Sequence, residues 1–371
     1  MAVAAQCLRC PIVARPSIAQ QRITKVNNLG GGARGFGIGG APTSISRRYH
    51  GLGRVLVFAR VSNKSEVLPS ASADDQSPPP LVGEDSAVFE LQSQKLSSWL
   101  YFTAILAAVT VVLYFAWLDP TTGYGTAYVD WLSTLTNNSP ELVITAMLAI
   151  FALVHSGLAS FRDRGEQLIG ERAYRVVFAG LSLPLAVSAV VYFINHRYEG
   201  AQLWHVQDVP GVHQLVWLLS FTSFFFLYPS TFNLLEVAAV DKPKLHMWET
   251  GIMRITRHPQ MVGQFMWCFA HTLWIGSSFT LTTSIGLLAH HLFGVWNGDR
   301  RLSLRYGDAF ETVKQRTSVV PFVAIAQGRQ KLPRDFYKEF LRLPYLIITA
   351  LTLGAYFSHP LLRLGSSSLH W

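Results

Sequence analysis

An all-α, polytopic bundle of six to seven transmembrane helices, with an amphipathic segment at its surface, is the fold class this sequence predicts. Composition is the first reason. Half of the 371 residues are hydrophobic and only 14% are charged, against about 25% charge in soluble domains, and mean hydropathy is +0.26. Apolar runs are the second. They recur near 98–118, 140–160, 173–194, 212–235, 260–278, 279–297 and 343–360, each close to the roughly 20 residues that cross a bilayer as a helix. Charge asymmetry is the third. If the runs alternate, one face holds 19 Lys and Arg residues after residue 65 and the other only Arg197 and Arg363, as positive-inside topology requires. The last run is short. Removing it moves only Arg363, which leaves six spans as well as seven.

The chain begins with a basic leader. Residues 1–65 hold ten Lys and Arg and no acid, the first acid being Glu66. The net charge of +9 therefore comes from the leader, since the rest carries 21 basic and 22 acidic side chains. No basic patch remains for phosphate contacts, and no nucleic-acid partner is expected. Abundant Ser, Ala, Gly and Arg without an apolar h-region read as a plastid transit peptide over 1–59, ending near Val57-Phe58-Ala59. Gly35-Phe36-Gly37-Ile38-Gly39-Gly40 and Cys7-Leu8-Arg9-Cys10 fall within it. Each lacks the structural context its motif needs and reads as coincidence. Without the leader one cysteine remains, Cys268, so no intrachain disulfide is expected.

Residues 60–97, rich in Ser, Asp and Pro, read as a disordered linker. The membrane domain follows over 98–360, with a tail over 361–371. A lipid-exposed backbone must satisfy its own hydrogen bonds, which makes each apolar run a helix. The one long polar loop, 298–342, is expected to lie on the membrane surface through Phe310, Val313 and Val319 to Phe322. The N-terminus and this loop share the positive, stroma-like side.

Polar residues inside the apolar runs are the candidates for chemistry. His155 lies in the second run, His271 in the fifth, and His290 and His291 in the sixth. Gln264, Cys268 and His271 fall four and three apart, on one helix face. Histidine and thiolate on facing helices can hold a metal or haem, although residue type does not choose among iron, copper and zinc. Any one of these histidines could equally be a core side chain bonded to a carbonyl. Depth adds a constraint. His155 stands about 7 Å from the positive end of its run, His290 and His291 about 9–10 Å, and His271 roughly 16 Å. Depth alone pairs His155 with His290 or His291, while a tilted helix would reach His271. Arg257-His258-Pro259 opens the fifth run. Proline is ordinary there, and Arg257 and His258 are candidates for an anion such as a haem propionate. His196, His205, His213 and His246, at run ends or in loops, read as structural. The dense aromatics, Phe221 to Phe226 with Trp267, Trp274 and Trp296, suit packing or the wall of an apolar slot.

Arg257-His258-Pro259-x-x-x-Gly263, a hydrophobic hairpin, Asp299-Arg300-Arg301, Tyr306-Gly307-x-Ala309-Phe310 and Thr317-Ser318-x-Val320-Pro321-Phe322 together resemble the NnrU-type membrane family over roughly 95–360. With the leader and Leu153-Val154-His155-Ser156-Gly157-Leu158, the resemblance is to its plant plastid members. It implies a haem b (iron) enzyme of the plastid envelope that isomerises 9,15,9′-tri-cis-zeta-carotene to 9,9′-di-cis-zeta-carotene. It places the axial ligands on His155 and His271 and an alternative, redox-switch ligand on Cys268. It also implies a hydrophobic C40 carotene substrate in contact with membrane lipid, an electron donor for the iron, and neighbouring carotenoid enzymes as partners. The chemistry is coherent with an intramembrane site. Isomerising a polyene requires a temporary loss of bond order, which iron supplies and no side chain does readily.

Two other readings compete. An isoprenylcysteine-type methyltransferase using S-adenosylmethionine also opens a span with Arg-His-Pro, but typically carries Glu-Glu where this chain has Gly298-Asp299-Arg300-Arg301. A haem or carotenoid carrier without catalysis would need the same pocket as the isomerase.

Overall fold

The computed structural model describes residues 80–371, except 239, 242–245 and 370. The leader, its expected cleavage site and its two chance motifs lie outside the described residues. Seven long helices cover the seven apolar runs: α1 (Leu96–Leu113), α2 (Pro140–Ser160), α3 (Glu171–His196), α4 (Val212–Leu227), α5 (Pro259–Ile275), α6 (Ser278–Tyr306) and α7 (Leu343–Ser367). Among the described residues there is no strand, only one bridge between Gln202 and Ser277. Four helices are long and apolar enough to cross a membrane: α1 with its continuation to Leu118, α2, α3 and α7. Helix α4 is apolar but shorter, at 16 residues. Helix α5 has 17 residues, and α6 runs on through Asp299, Arg300 and Arg301 into polar sequence. The expected count of six to seven spans therefore exceeds the four that length and composition establish.

The core forms where α2, α3, α5 and α6 meet. Val143, Ile144 and Met147 of α2 pack with Tyr192 and Phe193 of α3, Ile275 of α5 and Phe279 of α6. Burial of such side chains is worth about 1.5–3 kcal/mol each when taken from water; in lipid, close packing and polar contacts must do more of the work. Helix α1 stands apart, with none of its apolar window buried in the protein, as befits a lipid-facing helix. It ends in a π-helical turn over Tyr114–Leu118.

Two glycines permit the hairpin that carries the site. A Cβ on Gly263 would lie 2.6 Å from the Ser223 carbonyl oxygen, so glycine lets α5 pack backbone to backbone on α4. Gly276, at φ +68°, ends α5 in the left-handed conformation. The Ser277 hydroxyl then accepts from the Thr280 amide and starts α6.

Three segments differ from the sequence reading. The described part of the stretch read as linker is docked rather than free. Asp85 pairs with Arg342 at 2.6 Å, Asn233 donates to Ser86 at 2.9 Å, and Ala87 is fully buried. The helix Asp308–Arg316 is amphipathic as expected. Its Phe310 and Val313, however, are buried against Met247 rather than offered to lipid. Only Val320 and Phe322 of that apolar set are exposed. The tail is also partly structured: α7 continues to Ser367, and the Trp371 indole is buried, donating to Thr126.

Candidate functional site

The family-like motifs meet at one end of the bundle, where α5 begins and α6 leaves the apolar layer. Residues 317–322 lie against 255–257. The Arg257 amide donates to the Ser318 carbonyl at 2.9 Å, the Phe322 amide to the Ile255 carbonyl at 3.0 Å, and the Thr256 hydroxyl to the Val319 carbonyl at 2.7 Å. Arg257 and His258 then reach α6. The Arg257 guanidinium contacts Asp299 at 2.7 Å, and the His258 Nε2 lies 2.8 Å from the same carboxylate. Three separated motifs thus form one knot that fixes the start of α5 against α6.

Burial acts to raise the pKa of Asp299, but hydrogen bonds from His258 and Arg257 and their charges outweigh it and hold the carboxyl at about 2. The folded value lies below the ordinary value of 3.8, so the stabilisation is fully present above the ordinary range and is lost as pH falls towards the folded value. Thermal midpoints in detergent of wild type and Asp299→Asn are expected to differ by a constant amount above about pH 5 and to converge between about pH 4 and 2. A gap that persists unchanged through the acid range refutes this role.

Beside the knot lies a cavity of about 490 Å³, lined by His155, Trp248, Met253, Arg257, His258, His290, His291 and Arg301 among others. This is within the usual range for a small-molecule site. His155 comes from the last turns of α2 and His290 from the middle of α6. Their rings approach edge to face with centroids 5.8 Å apart. Phe151 and Phe178 flank His155 at 5.1 and 4.8 Å. His291 adjoins His290 at 5.7 Å. The Nδ1 atoms of His155 and His290 are both buried and have no hydrogen-bond partner among the described residues. Leaving one such atom unpaired costs about 1–3 kcal/mol; the Nδ1 atoms of His196 and His246 also lack a hydrogen bond, but only His155 and His290 face each other across one cavity.

His271 does not line this cavity. Its ring stacks on Trp267 at 3.8 Å, and its Nδ1 lies 2.9 Å from the Trp267 carbonyl. Cys268 is buried, its Sγ accepting from Gln264 at 3.3 Å, which confirms that Gln264 and Cys268 share a face of α5. The structure therefore brings together His155, His290, His291, Arg257 and His258, and leaves His271 and Cys268 elsewhere on α5. Among the described residues no group of three or more His, Cys, Asp and Glu side chains is placed to hold a metal ion. The arrangement offers the imidazoles of His155, His290 and His291 on one cavity wall.

His196 contacts the Trp371 carbonyl and Glu199, and His246 contacts Glu236, as structural histidines do. Sequence reasoning did not single out Asp299 as the common partner of Arg257 and His258, nor Arg301 as part of the cavity. The available signal was one acid followed by two arginines at the border of an apolar run.

The NnrU protein family model matches residues 143–364. The chain belongs to the NnrU family. Among relatives of this NnrU chain, the chloroplastic 15-cis-zeta-carotene isomerase of Arabidopsis thaliana is 64% identical over 310 residues, covering 84% of each chain. The chloroplastic 15-cis-zeta-carotene isomerase of Zea mays is 65% identical over 293 residues, covering 79% of this chain and 80% of that one. No solved structure matches it.

Proposed function

We propose that this NnrU chain is a haem-dependent cis-trans isomerase of a plastid membrane, converting 9,15,9′-tri-cis-zeta-carotene to 9,9′-di-cis-zeta-carotene. The two relatives carry that class of activity in their names, and similarity at this level over about four-fifths of the chain supports the transfer. The observation that carries the chemistry is that His155 and His290 face each other in one cavity, with buried Nδ1 atoms that have no partner among the described residues.

Those residues suit haem b. His155 is the proposed ligand common to two pairings: His290 stands beside it in this structure, and His271 is the partner implied by the family likeness. Cys268, three residues from His271, is the proposed alternative ligand when the redox state changes. When bound, haem iron supplies the electron exchange that lowers the order of the central polyene bond. The chain's own residues hold that group, with Phe151 and Phe178 against His155 and Trp248 in the cavity wall as apolar surfaces that exclude water. Isomerisation leaves no net redox change, so an electron donor is needed only to set the iron's state. We place the protein in the plastid envelope, with its N-terminus and the 298–342 segment in the stroma, near other carotenoid enzymes.

The test is purification in detergent, with oxidised and dithionite-reduced spectra, a pyridine haemochrome assay, and turnover of the tri-cis substrate in the dark. One haem b per chain with dark turnover is expected. Haem without turnover would indicate a carrier, and a folded, haem-free preparation that still isomerises would remove the haem from the proposal.

A further inference from the structure

Arg301 lines the cavity and has no hydrogen-bonded acid among the described residues. Arg257 and His258, which also line the cavity, direct their side chains to Asp299. Arg300, next in the chain, donates to Asn297 and lies over the Trp296 ring, while Asn297 is itself held to Ser160. Three arginines gather where α6 leaves the apolar layer: Arg162, Arg301 and Arg305. The carboxylates near Arg301 are Asp163 and Glu166. Glu166 is taken by Arg162 at 2.6 Å, and Asp163 lies 3.9 Å from Arg305. Among the described residues none accepts a hydrogen bond from Arg301. It is half-buried, at the lining of the cavity that holds His155 and His290. Burial, and then the positive charge of Arg162, work against its proton and lower its pKa, so an arriving anion is favoured twice, by pairing and by relief of repulsion.

We propose that Arg301 is the anion-docking residue of this cavity, gripping the paired oxygens of a carboxylate or phosphate whose apolar body extends toward His155 and His290. A guanidinium presents two parallel donors to such a group. A haem propionate is one source of that chemistry, and there the inference rests on the cofactor reading above. The phosphate of an anionic lipid is the other.

The test uses the full chain in detergent as wild type, Arg301→Gln, Arg301→Lys and Arg300→Gln, each checked by size-exclusion profile. Each is titrated with haem b and with haem b dimethyl ester, whose propionates are uncharged, following the Soret band. A second arm measures phosphatidylglycerol and phosphatidylcholine retained on each variant by mass spectrometry. With a propionate source, Arg301→Gln weakens haem b about tenfold or more. Under the same source it leaves the dimethyl ester unchanged, Arg301→Lys recovers part of the loss, and Arg300→Gln behaves as wild type. With a phosphate source, Arg301→Gln selectively loses phosphatidylglycerol. That outcome supports the anion site even if no variant binds haem, so failure of the cofactor reading is seen separately. If Arg301→Gln changes neither haem b affinity nor phosphatidylglycerol retention, the proposal is overturned.

Discussion

Glu339→Ala is expected to destabilise the protein by about 3–5 kcal/mol, the cost of removing one partner from a buried ion pair. Arg254 is only 6% exposed, and its Nε and Nη2 donate to the two Glu339 oxygens at 2.8 Å each. The same carboxylate accepts from the Gly251 amide at 2.6 Å. Alanine would strand a buried guanidinium and a backbone donor together. Both groups stand beside the cluster of Trp248, Ile252, Tyr345 and Ile348, which joins the start of α7 to the segment leading into α5. Unfolding monitored by intrinsic tryptophan fluorescence in detergent measures the loss. Replacing both partners at once, as Arg254→Met with Glu339→Leu, is expected to recover much of it, because the stranded charge disappears. A Glu339→Ala protein within about 1 kcal/mol of wild type would show that water reaches the site and that the pair is not truly buried.

His155→Ala is expected to abolish haem retention and to lower isomerisation by at least about 100-fold, while leaving the helical circular dichroism intact. His155 is the ligand shared by both proposed pairings, and alanine leaves its Phe151 and Phe178 contacts without an imidazole between them. His290→Ala and His271→Ala, run in parallel, identify the second ligand by which of them also loses the Soret band. His196→Ala, whose ring sits at the far side on Tyr192 and the Trp371 carbonyl, is expected to keep it. Full haem content and turnover in His155→Ala would remove this cavity from the catalytic proposal.

Much of the fold was legible because bilayer-length apolar runs leave the backbone few choices. Each of the seven runs holds a long helix, although the run at 212–235 breaks after Leu227, and several boundaries follow capping residues that can be read directly: Pro140 and Pro259 in first turns, and Gly276-Ser277 at the hairpin. Other features depended on packing that no local pattern carries. The described residues before α1 look like linker by composition, yet Asp85 finds Arg342 across 257 positions. Phe310 and Val313 have the spacing of a lipid-facing stripe, but the protein supplies Met247 to cover them.

The candidate site divides along the same line. Sequence alone determined which residues could do chemistry, since ionisable groups in an apolar run are few and costly, and it fixed their spacing along each helix, since a helix rises a constant distance per residue. It also determined the family, through motifs whose order along the chain is distinctive. Only the tertiary structure decided which helix faces which. It set His155 beside His290, turned His271 onto Trp267, gave Arg257 and His258 a shared acid in Asp299, and left Arg301 on the cavity wall with no hydrogen-bonded acid among the described residues. Helical periodicity specifies a residue's angle about its own axis, whereas the rotation and neighbour of each helix arise from packing among all of them.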